Sequence, residues 1–211
     1  MIGSKLTLCL VGGGGHALVV AESAAAAGFS VLGFFDDDDQ ATVFKRLYLD
    51  CLGRLDDAAR LGGPRWVLAL GDLAQRRSVL SRITTASDQP RAVTIVNPTA
   101  VVSASAEIGP GTLVGPRALV HSFARIGAHS IINSAAIVEH ECELGENCHI
   151  APGAILAGRV RVGANTLIGL GARVLPGLNI GSGCVVGAGA VVTQSVGDGM
   201  TVSGVPARVH A

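Results

Sequence analysis

From Ile108 to Val192 every sixth residue is aliphatic: Ile108, Val114, Val120, Ile126, Ile132, Val138, Leu144, Ile150, Leu156, Val162, Ile168, Val174, Ile180, Val186 and Val192. Self-similarity at a fixed short period is the signature of a coiled repeat architecture, and this one runs without an insertion. The residue two before each next aliphatic is small or apolar too, as at Thr112, Ala118, Ala124, Ser130, Ala136, Cys142, Cys148 and Ala154. Side chains two apart on a strand share a face, so both sets point inward. Between them, Pro110-Gly111, Pro152-Gly153 and Pro176-Gly177 fill two corner slots, and Asn147, Asn165, Gly171, Gly183 and Gly189 share the second. Proline followed by glycine supplies the φ values of a type II turn. A short strand and a turn every six residues close a three-sided coil every eighteen, so residues 108–197 make five coils. Ile95 and Val101 are expected to start the helix one partial coil earlier, with a one-residue slip before Ile108.

The residues before this repeat follow another rule. Residues 1–94 alternate strand-like and helix-like segments: "KLTLCLV", "HALVVAESAAAAG", "VLGFF", "RWVLAL", "GDLAQRRSVLSRI" and "RAVTIV". Strand–helix alternation implies a small parallel sheet with covering helices. The expected organisation is an α/β, Rossmann-like domain over 1–94 and an all-β parallel β-helix over 95–211.

Composition removes several function classes. Sixteen basic and sixteen acidic side chains balance, so no net field draws in nucleic acid or an anionic membrane. The apolar run Leu6–Val11 is too short for a signal peptide, and nothing approaches the roughly 18 apolar residues of a membrane span. Five cysteines at irregular spacing fit reduced thiols rather than a disulfide framework. A cytoplasmic protein is expected.

One stretch concentrates the chemistry: "VEHECELGENCHIAPGAILAG", Val138–Gly158. His140, Cys142, Cys148 and His149 have the look of a zinc site. The repeat argues against it, because Cys142 and Cys148 occupy the inward slot with Ala136 and Ala154, as does Cys184. Free cysteine there acts as a small buried hydrophobe, so no metal is expected. His140 and Glu141 fall at a corner and point away from the core. A histidine at a surface turn commonly does nothing, but stacking gives this one a neighbour. One coil along the same corner stands Gly158, whose backbone would lie about 4.8 Å from that of His140. A base beside an exposed N–H donor is what acyl transfer requires. His121 and His129 match no motif and are expected at the surface.

"LVGGGGHA" places Gly12, Gly14 and Ala17 in a G-x-G-x-x-[GA] arrangement between a strand and a helix, with Asp36 and Asp37 ending the next strand. That spacing is a dinucleotide-binding fingerprint. The physics supports a weaker claim, that a turn without side chains can hold a phosphate on a helix N-terminus. An NAD-dependent oxidoreductase is therefore one reading, a tight turn alone another. The first meets a difficulty, since a continuous β-helix offers no domain for hydride transfer.

The segment "NSAAIVEHECELGENCHIAPGAILAG", the ending "VSGVPAR" and a "G-x-x-GH" turn near the N-terminus resemble one group of proteins over nearly the whole chain. They are nucleotide-sugar N-acetyltransferases of the sialic-acid O-acetyltransferase-like branch of the hexapeptide-repeat superfamily. The resemblance implies a left-handed β-helix, against the usual right-handed crossover. It implies a homotrimer with active sites between subunits, acetyl-CoA as co-substrate and a nucleotide-linked amino sugar as acceptor. Carried over, His140 would be the general base and Glu141 would orient it. His149 would lie near the thioester, and the Gly158 N–H would receive the carbonyl oxygen. Asn133 would contact the sugar or the acetyl group, while Gly169, Leu170 and Ala188 would offer backbone contacts to the pantetheine arm of coenzyme A. In the first domain Gly12, Gly14, Gly15 and His16 would line the phosphates, Asp36 and Asp37 the base or ribose, and Gly71 and Asp72 the rim. The implied reaction is N-acetylation of a UDP- or GDP-linked 4-amino-4,6-dideoxyhexose for bacterial surface glycans. An O-acetyltransferase of sialic acid or a related sugar, and a non-catalytic nucleotide-sugar-binding protein, are the alternatives.

Overall fold

The computed structural model describes residues 6–60, 65–83 and 92–210. The chain divides into two compact units, Met1–Pro98 and Thr99–Ala211, so the division falls after Pro98 rather than after residue 94.

In the first unit β1 (Thr7–Val11), β2 (Ser30–Phe35), β3 (Cys51–Gly53) and β4 (Arg65–Leu68) form a parallel sheet in the order β3-β2-β1-β4. Its helices are α1 (Gly15–Ala26), α2 (Thr42–Leu47) and α3 (Leu73–Ile83), with a 3-10 turn at Leu55–Arg60. β1 is central, and Leu8, Cys9, Leu10 and Val11 are all buried, as a strand covered on both faces requires. Phe34 and Trp66 fill the space on its flanking strands. The expected last strand, 91–96, is reduced to a bridge between Ala92 and Trp66 and a two-residue strand at Ile95–Val96; Arg91 and Lys5, the first residues of two expected strands, lie outside the described residues.

In the second unit the hexads become two-residue strands that pair in parallel with the strand eighteen residues on: Arg125–Ile126 with Glu143–Leu144, Ile131–Ile132 with His149–Ile150, and Ile137–Val138 with Ile155–Leu156. Three parallel sheets result, one for each side of the coil. Every sixth aliphatic from Val114 to Val192 is at most 6% exposed. The second inward slot is buried as well, at Ala136, Cys142, Cys148, Ala154 and Cys184. Thr201–Ser203 pairs antiparallel with Arg208–Val209 and ends the coil.

The frame reaches further back than the expected slip allows. Val101–Val102 pairs with Leu119–Val120 in the common register, so Val102 rather than Val101 carries the inward phase and no slip precedes Ile108. Adjacent valines hid this, since either satisfies the inward slot. Val101 is 62% exposed.

The second corner residue adopts left-handed φ throughout, at Gly111, Arg117, Phe123, His129, Ala135, Glu141, Asn147, Gly153, Arg159 and Asn165 among others. From His129 on its N–H reaches a carbonyl of the previous coil, as from Glu141 to Ser122 and from Arg159 to His140, while Arg117 and Phe123 donate to the hydroxyls of Thr99 and Ser105. The first corner residue donates to no backbone carbonyl, which is why Pro110, Pro116, Pro152 and Pro176 fit there.

Candidate active site

His140 and Glu141 form the corner between the strands Ile137–Val138 and Glu143–Leu144. The Glu141 Oε2 lies 3.1 Å from His140 Nδ1. With Nδ1–H donating to that carboxylate, the Nε2 lone pair is left to accept a proton. The Nε2 end of the ring reaches Gly158. A Cβ on Gly158 would stand 2.6 Å from His140 Cε1 and closer still to Nε2, so only glycine lets the imidazole rest there. Gly158 shares the first corner slot with Pro152 and Pro176, and its N–H makes no bond within the coil. A basic nitrogen and an uncommitted amide therefore stand side by side. The imidazole and the carboxylate are 46% and 54% exposed in the single chain.

Asn133 and His149 make a separate pair on another side of the coil, with Asn133 Nδ2 donating to His149 Nε2 at 3.1 Å. The Asn133 Oδ1 accepts the Ser134 N–H at 2.8 Å, so both ends of the amide have partners. Within one chain this pair does not join His140. Nine residues are half a coil, and half a coil is a different face. Leu170 and Ala188 are exposed corner residues whose N–H groups make no bond in the coil. The Gly169 N–H, by contrast, donates to Val186 O at 2.8 Å and has no free amide to offer. His121 and His129 are half-buried rather than at the surface, and His121 Nδ1 accepts the Ser122 N–H. Cys142, Cys148 and Cys184 face inward and donate to Ala157, Gly163 and Gly197 carbonyls. Burial pushes the Cys142 and Cys148 thiols up to about 11.

The glycine-rich turn of the first unit separates into two functions. Gly12 has φ 108 and leaves no room for a side chain beside Leu70, and a Cβ on Gly13 would press on the Phe34 ring at 2.6 Å. Those two glycines are needed by the packing. Gly14 and Gly15 face open space, and Gly14 begins α1 with no side-chain cap, so the Gly14 and Gly15 N–H groups can meet an anion. His16 follows, beside Gly71.

Asp36 is tied to the backbone of the turn. Its Oδ2 accepts the Gly13 N–H at 2.7 Å and its Oδ1 the Asp38 N–H at 3.0 Å, so it braces the turn. Asp37 pairs with Arg54 Nε at 3.2 Å. Asp72 Oδ1 accepts the Gln75 N–H and caps α3. Two clefts flank Asp36 and Asp37: one of about 560 Å3 beside Leu70, Ala74 and Ser78, the other of about 730 Å3 beside Phe44, Cys51 and Leu52.

Sequence reasoning missed Gly13, Arg54 and Arg76. Arg76 is 1% exposed and donates to the Leu70 carbonyl at 2.7 Å, fixing the segment that leads into Gly71 and Asp72. Desolvation lowers its guanidinium to about 10. Its spacing from Val79 and Ile83 on one helical face was the available signal.

The model of the PglD N-terminal domain matches residues 7–83. The bacterial transferase hexapeptide (six repeats) matches 123–158, and the hexapeptide repeat of succinyl-transferase matches 159–194. No curated protein matches the chain in sequence. A variant of perosamine N-acetyltransferase from Caulobacter crescentus, solved with CoA and GDP-perosamine, is 36% identical over 100% of this chain and 98% of its own, with a TM-score of 0.89. The acetyltransferase domain of PglB from Neisseria gonorrhoeae, in complex with acetyl coenzyme A, is 34% identical over 98% of this chain and 100% of its own, at 0.88. WeeI from Acinetobacter baumannii is 27% identical over 98% and 100%, at 0.80. Full-length likeness at that identity, together with the hexad coil and a glycine-rich α/β unit before it, places this chain in the hexapeptide-repeat acetyltransferase family, whose fold is the left-handed parallel β-helix, in the branch that carries a PglD-type N-terminal domain.

Proposed function

We propose that the protein transfers the acetyl group of acetyl-CoA to the 4-amino group of a GDP- or UDP-linked 4-amino-4,6-dideoxyhexose, in the cytoplasm, for bacterial surface glycans. The observation that carries this is the His140 imidazole lying on Gly158 with Glu141 on its far nitrogen. Support comes from the Caulobacter relative, in which one histidine has been replaced by asparagine and by alanine in complexes with CoA and GDP-perosamine.

In the proposed step the amine lone pair attacks the thioester carbonyl carbon. The carbonyl oxygen takes up negative charge, and the Gly158 N–H donates to it. His140 Nε2 takes the proton from the ammonium that forms, and the imidazolium stays paired with Glu141. The C–S bond then breaks as the carbonyl re-forms, the imidazolium passes its proton to the leaving sulfur, and coenzyme A leaves as the thiol. Gly14, Gly15 and the start of α1 would hold the diphosphate of the acceptor, with Gly12 and His16 shaping that turn and Gly71 and Asp72 its rim.

A half-exposed base catalyses poorly in bulk water, so a second copy of the chain is inferred to cover the corner. A homotrimer would do this, bringing the Asn133–His149 pair and the free Leu170 and Ala188 amides of one copy toward the His140 corner of another. Incubation with acetyl-CoA and a panel of GDP-, UDP- and dTDP-linked amino sugars tests the reading. Release of coenzyme A with one 4-amino sugar is expected; acetylation of a free sugar hydroxyl instead would replace this reading with the O-acetyltransferase one.

A further inference from the structure

Phe123 is the one aromatic residue between Thr99 and Ala211. It is 68% exposed and holds φ 58, a conformation unfavourable for a bulky side chain. Glycine occupies the same slot at Gly111, Gly153 and Gly171 without that strain. The other non-glycine residues with this φ in the coil are polar or alanine, so what sets Phe123 apart is a large apolar side chain held exposed at such a corner.

The register says what it stands next to. Phe123 precedes Glu141 by one coil at the same corner, and the Glu141 N–H donates to the carbonyl of Ser122 at 3.0 Å, tying the two coils together. Its own N–H donates to Ser105 Oγ at 3.2 Å, so the backbone under the ring is held. Ser122 stands one coil before His140 and Gly158 one coil after it, so the corner carries Phe123 one coil to one side of the base, next to Ser122, and the uncommitted amide one coil to the other. With the thioester carbonyl at Gly158, the body of the amine substrate belongs on the opposite side of His140, which is the side of Phe123.

We propose that Phe123 is a specificity-determining residue that packs against the deoxygenated C6 edge of the acceptor sugar. This rests on the acceptor reading above. In a 4-amino-4,6-dideoxyhexose the C6 methyl is three bonds from the amine nitrogen, so an amine at His140 Nε2 places that methyl within about one coil spacing of 4.8 Å. A methyl group against an aromatic face is stabilised by burial of both. A hydroxymethyl in its place would bury a hydroxyl with no partner on the ring.

The test compares matched nucleotide-linked 4-amino sugars with and without the 6-hydroxyl, on wild type, Phe123→Asn and Phe123→Leu. Asparagine tolerates the left-handed corner, so the coil is preserved while the apolar wall is removed. Wild type should prefer the 6-deoxy sugar, and Phe123→Asn should cut that preference about tenfold or more through KM, within the 10–200-fold range for one methyl in an apolar site. Phe123→Leu should recover much of it, and the KM for acetyl-CoA should not move. An unchanged preference in Phe123→Asn, with wild type active, overturns the role of Phe123 alone. Equal losses on both sugars together with a smaller particle in sedimentation overturn it too, in favour of a subunit contact. Wild type inactive on both sugars overturns the acceptor reading itself.

Discussion

The two units of this chain place their functional groups by opposite means. In the β-helix each coil touches only its neighbours, so a residue's position follows from its number, and His140 meets Gly158 because they are eighteen apart. In the first unit the glycine turn is held by Asp36 from the end of β2 and by packing on Phe34, across a crossover whose geometry no count supplies. A periodic scaffold makes a site calculable. An aperiodic one makes it depend on contacts far apart in sequence.

Substitutions can break this comparison, and the largest effect belongs to His140→Ala. Its kcat should fall by about 10²–10⁴-fold with little change in KM, as for a lost general base. A loss under tenfold would remove the base from the mechanism.

Gly158→Ala should come next, at about 10²-fold in kcat, because its Cβ displaces the imidazole. Gly153→Ala is its control. Nothing lies within 4 Å of a Cβ there, but φ is +67, so it should lower stability by about 1 kcal/mol and leave kcat alone. If both variants lose activity equally, position along the coil is not what matters. In the first unit Asp36→Ala frees the Gly13 N–H and should raise the KM for the nucleotide sugar roughly tenfold, from a lost charge-assisted bond, with acetyl-CoA unaffected. A parallel change in both KM values would show that the turn does not serve the acceptor.

Smaller effects report on the coil alone. Cys142 and Cys148 keep their protons to about 11 when folded, against an ordinary 9.0. A folded value above the unfolded one stabilises fully below about 9 and is lost as pH rises toward 11, so stability should fall across that range. Cys142→Ala should flatten the fall, measured by denaturant melts at several pH values. The smallest change should be Ala135→Gly: φ 54 favours glycine, and the net gain should be about 0.5–1 kcal/mol after the entropy of the unfolded chain. A loss there would mean that the corner is not strained.

What was legible in the sequence follows the same division. The inward thiols, the His140–Gly158 stack and the free amide of the first corner slot can all be read from hexad phase and from where proline is tolerated. The separation of His149 from His140 within one chain was equally countable, as half a coil. Asp36 was visible as an acidic residue at a strand end, yet its bond to the Gly13 N–H depends on how β1 and β2 lie side by side. Arg76 shares a helical face with the buried Val79 and Ile83, and that spacing is the sequence's only sign of its burial.

The uninterrupted hexad also governs how such a chain can change length. A single residue lost between His140 and Gly158 would put the coils on either side out of phase and shift His140 off the corner that carries Gly158, so its damage extends far beyond the missing atom. Eighteen residues lost together after Gly177 would leave every remaining side chain on its own face, and the reacting corner would keep its neighbours. The coil therefore behaves like a text with a reading frame, in which gain and loss are tolerated in whole coils and the catalytic corner is protected by arithmetic as much as by packing.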